Sequence, residues 1–232
     1  MEELIKSLKV EELAAMIDHT YLKPYGDKSN MEKLCDEAMQ YGFAMVAINP
    51  AEVETCAALL KDSKVRVGAA IGFPLGQNTR ETKYFETVDA IKKGATEIDT
   101  VINIRELQKG NVQLVKGEIE DLAQLCRETG VISKVILETC YLSEEEKYIV
   151  CELAVAAGVD FVKTSTGFGT AGATVEDVKL MRGVVGPEMG VKAAGGIRDI
   201  NYTLQLIKSG ATRIGTSNGI AIVEAFKLLK NQ

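Results

Sequence analysis

The chain has 232 residues, 46% of them hydrophobic, with 33 acidic against 27 basic side chains and a formal net charge of −6. That length suits one large domain or two small ones with a substantial core, and the negative balance argues against nucleic acid or an anionic membrane as the main partner. One histidine, His19, excludes a histidine-based metal cluster, and five cysteines without a CxxC pair suit a reducing, cytoplasmic compartment. No apolar run approaches membrane-spanning length, and the acidic, amphipathic start Met1-Glu2-Glu3-Leu4 is unlike a signal peptide.

Residues 2–15 read as one amphipathic helix, with Leu4, Ile5, Leu8, Leu13 and Met16 as its apolar members. Ile17-Asp18-His19-Thr20 is a short strand. Ser29 and Glu32 have capping-box spacing and start a helix that Gly42 closes. Phe43 to Ile48 is a strand, and Asn49-Pro50 opens the next helix, Asn as cap and Pro in the first turn. Val65 to Ile71 is a strand followed by a helix from Thr79 to Lys93. Thr96 to Ile102 is a strand that places Asp99 and Asn103 on one face, and Val112 to Thr129 a helix ended by Gly130. Ser133 to Glu138 is a strand that places Lys134 and Glu138 on one face. Ser143 and Glu146 form a capping box for a helix that runs to Gly158. A strand holding Lys163, a helix from Thr174 to Val185, a strand holding Lys192 and a helix from Asp199 to Gly210 follow. Thr212 to Gly215 is the last strand, and Asn218 caps the last helix, whose apolar positions are Ile222, Val223, Phe226 and Leu229.

Eight strand–helix units without a linker or low-complexity segment predict a single domain over residues 1–232. The expected fold is α/β, one (β/α)8 TIM barrel with an extra N-terminal helix. An open doubly wound sheet would want a glycine-rich turn after its first strand, and Tyr21-Leu22-Lys23-Pro24 is no such turn.

Two stretches carry chemistry. Phe161-Val162-Lys163-Thr164-Ser165-Thr166-Gly167-Phe168 and Val191-Lys192-Ala193-Ala194-Gly195-Gly196-Ile197-Arg198 each set a lysine in an apolar strand that ends in a glycine loop. A lone lysine there is more often one that snorkels to solvent; two in successive strands point to a shared interior. Desolvation and a like-charged neighbour both lower a lysine pKa, so Lys192 beside Lys163 yields a neutral amine able to form a Schiff base. The protonated imine is its own electron sink, so no metal or organic cofactor is needed. A carboxylate must move protons, and Asp99 is best placed. For Lys134 an ion pair that orders Asp99 and a direct catalytic role stay open. Asp18 and Thr20 join from the first strand, and Gly167, Gly195, Gly196, Arg198, Ser217 and Asn218 lie in loops suited to an anion.

These motifs, with Ile17-Asp18-His19-Thr20-Tyr21-Leu22-Lys23-Pro24, Glu97-Ile98-Asp99-Thr100-Val101-Ile102-Asn103 and Arg213-Ile214-Gly215-Thr216-Ser217, resemble the deoxyribose-phosphate aldolase family over nearly the whole chain. The resemblance implies a Schiff-base lyase on a barrel, acting in deoxyribose and deoxyribonucleotide catabolism. Its reaction would be reversible cleavage of 2-deoxy-D-ribose 5-phosphate to D-glyceraldehyde 3-phosphate and acetaldehyde. It implies Lys163 as the Schiff-base lysine, Lys192 as the lysine that tunes it, Asp99 as proton donor and acceptor, and Lys134 as hydrogen-bonded into that relay. Gly167, Gly195, Gly196, Ser217 and Asn218 match the phosphate loops, and Asp18, Thr20, Thr164 and Arg198 are expected to contact substrate. Two departures stand out: Asn218 where the family often has serine, and Ala47 where it often has a cysteine. Alternatives are another Schiff-base barrel aldolase, or a sugar-phosphate-binding barrel whose lysines only pair with phosphate. Exposed barrel helices allow a homodimer, but no outward apolar stripe selects it over a monomer.

Overall fold

A computed structural model describes residues 1–231. Its centre is a closed barrel of parallel strands joined in sequence order. The strands are β1 (Ile17–Tyr21), β2 (Met45–Ile48), β3 (Arg66–Ile71), β4 (Glu97–Val101), β5 (Ile132–Ile136), β6 (Phe161–Lys163), β7 (Gly190–Ala194) and β8 (Arg213–Thr216). The connecting helices are α3 (Lys28–Tyr41), α4 (Val53–Leu59), α5 (Arg80–Lys92), α6 (Ile104–Gln108), α7 (Val112–Thr129), α8 (Glu144–Ala157), α9 (Val175–Val185), α10 (Ile200–Lys208) and α11 (Gly219–Lys230). Among the described residues no helix is long and apolar enough to cross a membrane.

Helix starts follow side-chain caps. Thr79, Ser143, Thr174 and Asp199 each accept a first-turn N–H. The helix expected from Ser29 begins earlier, at Lys28. Asp27 takes the Ser29 N–H and Asn30 returns a bond to the Asp27 N–H, so the box sits two residues upstream of its expected place. The N-terminal helix is two, α1 (Glu2–Ser7) and α2 (Val10–Ala14). Lys9 is extended between them because its N–H is held by Glu12, which restarts the helix. Asn49 makes no side-chain cap; Pro50 opens a 3-10 turn before α4. Asn103, expected on the face of Asp99, instead turns the chain, its Oδ1 accepting the Glu106 N–H to open α6.

Apolar burial concentrates between sheet and helices, where outward residues such as Val46, Ala69, Ile98, Val135, Val162, Val191 and Ile214 meet the helix stripes. The inside of the barrel differs. Barrels of this kind usually fill their interior with branched aliphatic side chains. Here the register aligns Asp99 with Lys134, Lys163 with Lys192 and Lys192 with Arg213, and Asp18 with Gly215. The interior is therefore an ion network, and its geometry decides what the barrel can do.

Candidate active site

Lys163 and Lys192 stand side by side on β6 and β7 and point into the barrel. Both ammonium nitrogens meet one oxygen of Asp99 on β4: Lys163 Nζ lies 2.8 Å and Lys192 Nζ 2.7 Å from Asp99 Oδ2. Lys134 Nζ takes the other oxygen, 2.9 Å from Oδ1, and also donates to Glu97. Lys192 Nζ is 2.6 Å from Asp18 Oδ2. Arg213 closes the ring, its Nε 2.7 Å from Asp18 Oδ1 and its Nη2 3.1 Å from Glu97 Oε2. The Phe161 ring lies beneath, with Lys134 and Arg213 over its face at 5.7 and 5.5 Å.

Three carboxylates (Asp18, Glu97, Asp99) thus face four basic side chains (Lys134, Lys163, Lys192, Arg213) away from bulk water. One positive charge is in excess, and burying it unpaired is costly. The excess falls on Lys163. Burial, opposed by Asp99 and assisted by Lys192 and Lys134, pushes its pKa down to about 8. Lys192 moves the other way: burial acts against its charge, but Asp18 and Asp99 outweigh it and raise its pKa. Burial also disfavours the Asp99 carboxylate, yet Lys134, Lys163 and Lys192 hold it well below the usual range. The like charge from Lys192 is therefore real but secondary; desolvation is the larger cause.

A cavity of about 760 Å³ opens above this network at the C-terminal ends of the strands. Lys163 and Lys192 form its floor, Thr20 contributes from β1, and Gly167, Gly195, Gly196, Arg198, Ser217 and Asn218 line it. The glycines are needed. Gly167, Gly195 and Gly196 have φ of 87°, 87° and 75°, and a Cβ on Gly195 would lie 3.0 Å from Gly172 Cα and 3.4 Å from Gly167 Cα. Among the described residues the N–H groups of Gly195, Gly196 and Ser217 meet no protein acceptor. The Asn218 N–H is taken by Thr216 Oγ1 at 2.9 Å, and its side chain makes no cap on α11.

Two residues expected to contact substrate sit elsewhere than foreseen. Asp18 is fully buried beneath the cavity, its oxygens committed to Arg213 and Lys192, and does not line it. Thr164 faces away: its hydroxyl donates to the Ala194 carbonyl and accepts the Ala194 N–H, pinning β6 to β7. Lys134 bonds Asp99, in line with the ion pair expected to order it, and neither Lys134 nor Asp99 lines the cavity. Glu138 does not share a face with Lys134; it lies past the end of β5 and bonds Thr166. Glu97 and Arg213 received no role from the sequence. The parity of Glu97 with Asp99, two residues apart on β4, is the signal that would have found the first. Among the described residues no group of three or more His, Cys, Asp or Glu could hold a metal ion.

Comparison with known proteins bears on the chain as a whole. The model of the DeoC/LacD aldolase family matches residues 13–225. A deoxyribose-phosphate aldolase of Bacteroides thetaiotaomicron is 71% identical over 230 residues, covering 99% of this chain and 97% of the relative. One of Thermococcus gammatolerans is 57% identical over 215 residues, covering 92% and 96%. Among solved structures, a tetrameric deoxyribose phosphate aldolase from Aeropyrum pernix superposes with a TM-score of 0.90 at 33% identity, covering 97% of this chain and 95% of the other.

Proposed function

The chain belongs to the DeoC/LacD family of aldolases, and from that premise we propose that Lys163 carries the covalent intermediate, Lys192 keeps its amine available and Asp99 moves the protons. The reaction is the reversible aldol cleavage of 2-deoxy-D-ribose 5-phosphate to D-glyceraldehyde 3-phosphate and acetaldehyde through a lysine Schiff base. The observation that carries the assignment is the shared Asp99 oxygen: it puts a lysine whose pKa is pushed down against a cation that stays charged and an anion that stays ionised.

The neutral Lys163 amine adds to the C1 aldehyde of the open-chain sugar, and loss of water leaves a protonated imine. The C2–C3 bond then breaks. Its electron pair moves into the imine to give an enamine, while the C3 hydroxyl proton goes to a base and C3 departs as the aldehyde of glyceraldehyde phosphate. Asp99, an ionised carboxylate 2.8 Å from Lys163 Nζ and just below the cavity, is the base in this reading, acting through a water, and returns the proton to C2. Hydrolysis of the imine releases acetaldehyde. The protonated imine supplies the electron sink. The phosphate rests on Gly167, Gly195, Gly196, Ser217 and Asn218, with Arg198 at the rim; the free N–H groups and the start of α11 suit an anion. Thr20 faces the sugar from β1. Lys134 acts through Asp99, since it holds the carboxylate without touching the cavity.

The same reading takes residues 1–232 as one domain and the cytoplasm as its compartment, in keeping with four buried free thiols. It takes the assembly to be a homo-oligomer, a homodimer being the smallest, as a tetrameric relative suggests.

Borohydride reduction in the presence of acetaldehyde tests the assignment. A stable ethyl adduct is expected on the peptide bearing Lys163; an adduct on the Lys192 peptide, or none, overturns it.

A further inference from the structure

Glu138 is the one non-glycine residue among those described with a positive φ, 56°, a conformation L side chains adopt only under constraint. It is also a carboxylate buried to 2% exposure, which is costly unless its oxygens are bonded. Both penalties trace to one local event. Leu137 N–H bonds the Lys163 carbonyl at 2.9 Å and Thr139 N–H bonds the Thr164 carbonyl at 2.9 Å. Two steps along the end of β5 are thus answered by one step on β6. Glu138 is the extra residue, a bulge, and bulges beside active sites turn a side chain to a new direction.

The side chain is turned onto the loop that leaves Lys163. Glu138 Oε1 and Oε2 accept the Thr166 N–H at 3.2 and 3.3 Å, and Oε2 also accepts the Thr166 hydroxyl. Thr166 Oγ1 in turn accepts the Phe168 N–H at 3.0 Å. Gly167, at φ 87°, is the residue closed between these two bonds. On the far side, a Cβ at Gly169 would lie 3.1 Å from Glu138 Cδ and 2.7 Å from Cys140 Sγ, so the loop packs directly on the clamp.

We infer that Glu138 is a positioning residue for the phosphate end of the substrate: it fixes the Gly167 turn through Thr166 without touching Lys163, Asp99 or Lys192. This rests on the reading that the Gly167 loop receives phosphate. The bulge starts where β5 pairs with Lys163, so one distortion sets both the end of the strand that holds the amine and the loop that holds the anion.

The test compares 2-deoxyribose 5-phosphate with unphosphorylated 2-deoxyribose in Glu138→Gly and Glu138→Gln. Glycine accepts the positive φ, so that variant keeps the bulge and loses only the clamp. The expected result is a KM for the phosphorylated sugar raised about tenfold in Glu138→Gly, less in Glu138→Gln, the effect of losing hydrogen bonds to a charged group. Cleavage of the unphosphorylated sugar and trapping of acetaldehyde on Lys163 stay as in the parent. An equal fall on both sugars, a loss of trapping, or an unchanged KM each overturns the inference. Arg198→Ala, which removes a guanidinium from the rim of the cavity, separates the two readings. If it raises KM for the phosphate while the Glu138 variants do not, the phosphate loops stand and the clamp falls. If neither changes it, the loop assignment falls and takes the clamp with it.

Discussion

At the scale of single residues the chemistry is a matter of which lysine gives up its proton. Lys163 and Lys192 share a carboxylate oxygen, yet their pKa values move apart because Asp18 sits against Lys192 only. Replacing Lys192 by leucine removes one of the two cations that lower the Lys163 pKa. The proton then leaves Lys163 at higher pH, so the rising limb of the pH–activity profile moves upward from about 8. For each pH unit that the limb moves, the neutral-pH rate falls about tenfold. Measured kcat/KM from pH 6 to 10 decides it; a Lys192→Leu enzyme with the parent's profile would show that desolvation alone tunes the amine. The two lysines were legible because an ammonium inside an apolar strand stands out in a sequence. Arg213 was not, because its partners Asp18 and Glu97 lie 195 and 116 residues away and meet it only when the barrel closes.

At the scale of elements the charged interior needs room, and glycine supplies it. Gly215 on β8 pairs with Ala194 on β7. A Cβ at Gly215 would lie 2.9 Å from Ala194 Cβ and 3.1 Å from Lys192 Cε. Lys192 is tethered at its tip to Asp18 and Asp99 and has no freedom to swing aside. Gly215→Ala therefore displaces the lysine or spreads the two strands, at about 1–3 kcal/mol of stability and with an upward shift of the activity profile in the direction expected of Lys192→Leu. Thermal melts and a pH profile check both; a variant as stable and as active as the parent would mean that β7 and β8 adjust freely. Helix ends were the most legible part of the fold: Gly42, Gly130 and Gly158 stop their helices at φ of 68°, 69° and 73° where the sequence placed them, because the cap is a local device. The misread places were of another kind. At Asn103 a polar side chain accepted the Glu106 N–H and ended the strand pattern, and at Glu138 a bulge broke the two-residue parity on which the face assignment of Lys134 and Glu138 rested.

At the scale of the whole molecule, stability and catalysis are divided between two layers. The apolar shell between sheet and helices holds the barrel closed, which leaves the interior free to carry one positive charge too many. That surplus has a thermodynamic signature. The Lys163 pKa is about 8 in the folded chain against an ordinary value of 10.5, so between those limits the unfolded chain binds a proton that the folded chain does not. Stability therefore rises with pH through this window, by on the order of 3 kcal/mol at about 1.4 kcal/mol per pH unit. Lys192, with its pKa raised by Asp18 and Asp99, contributes in the opposite sense. A single unfolding curve therefore mixes these effects, and the difference between the parent and Lys163→Leu isolates the one residue. Lys163→Leu removes the surplus charge outright, so it should lose all turnover yet unfold at higher denaturant than the parent at pH 7. That advantage should shrink as pH passes from 8 to 10.5. Urea unfolding of both proteins across this range measures it. A gap that is constant with pH, or a leucine variant less stable than the parent at pH 7, would mean that the folded barrel carries its fourth cation without penalty and that Lys163 is not the residue kept short of a proton.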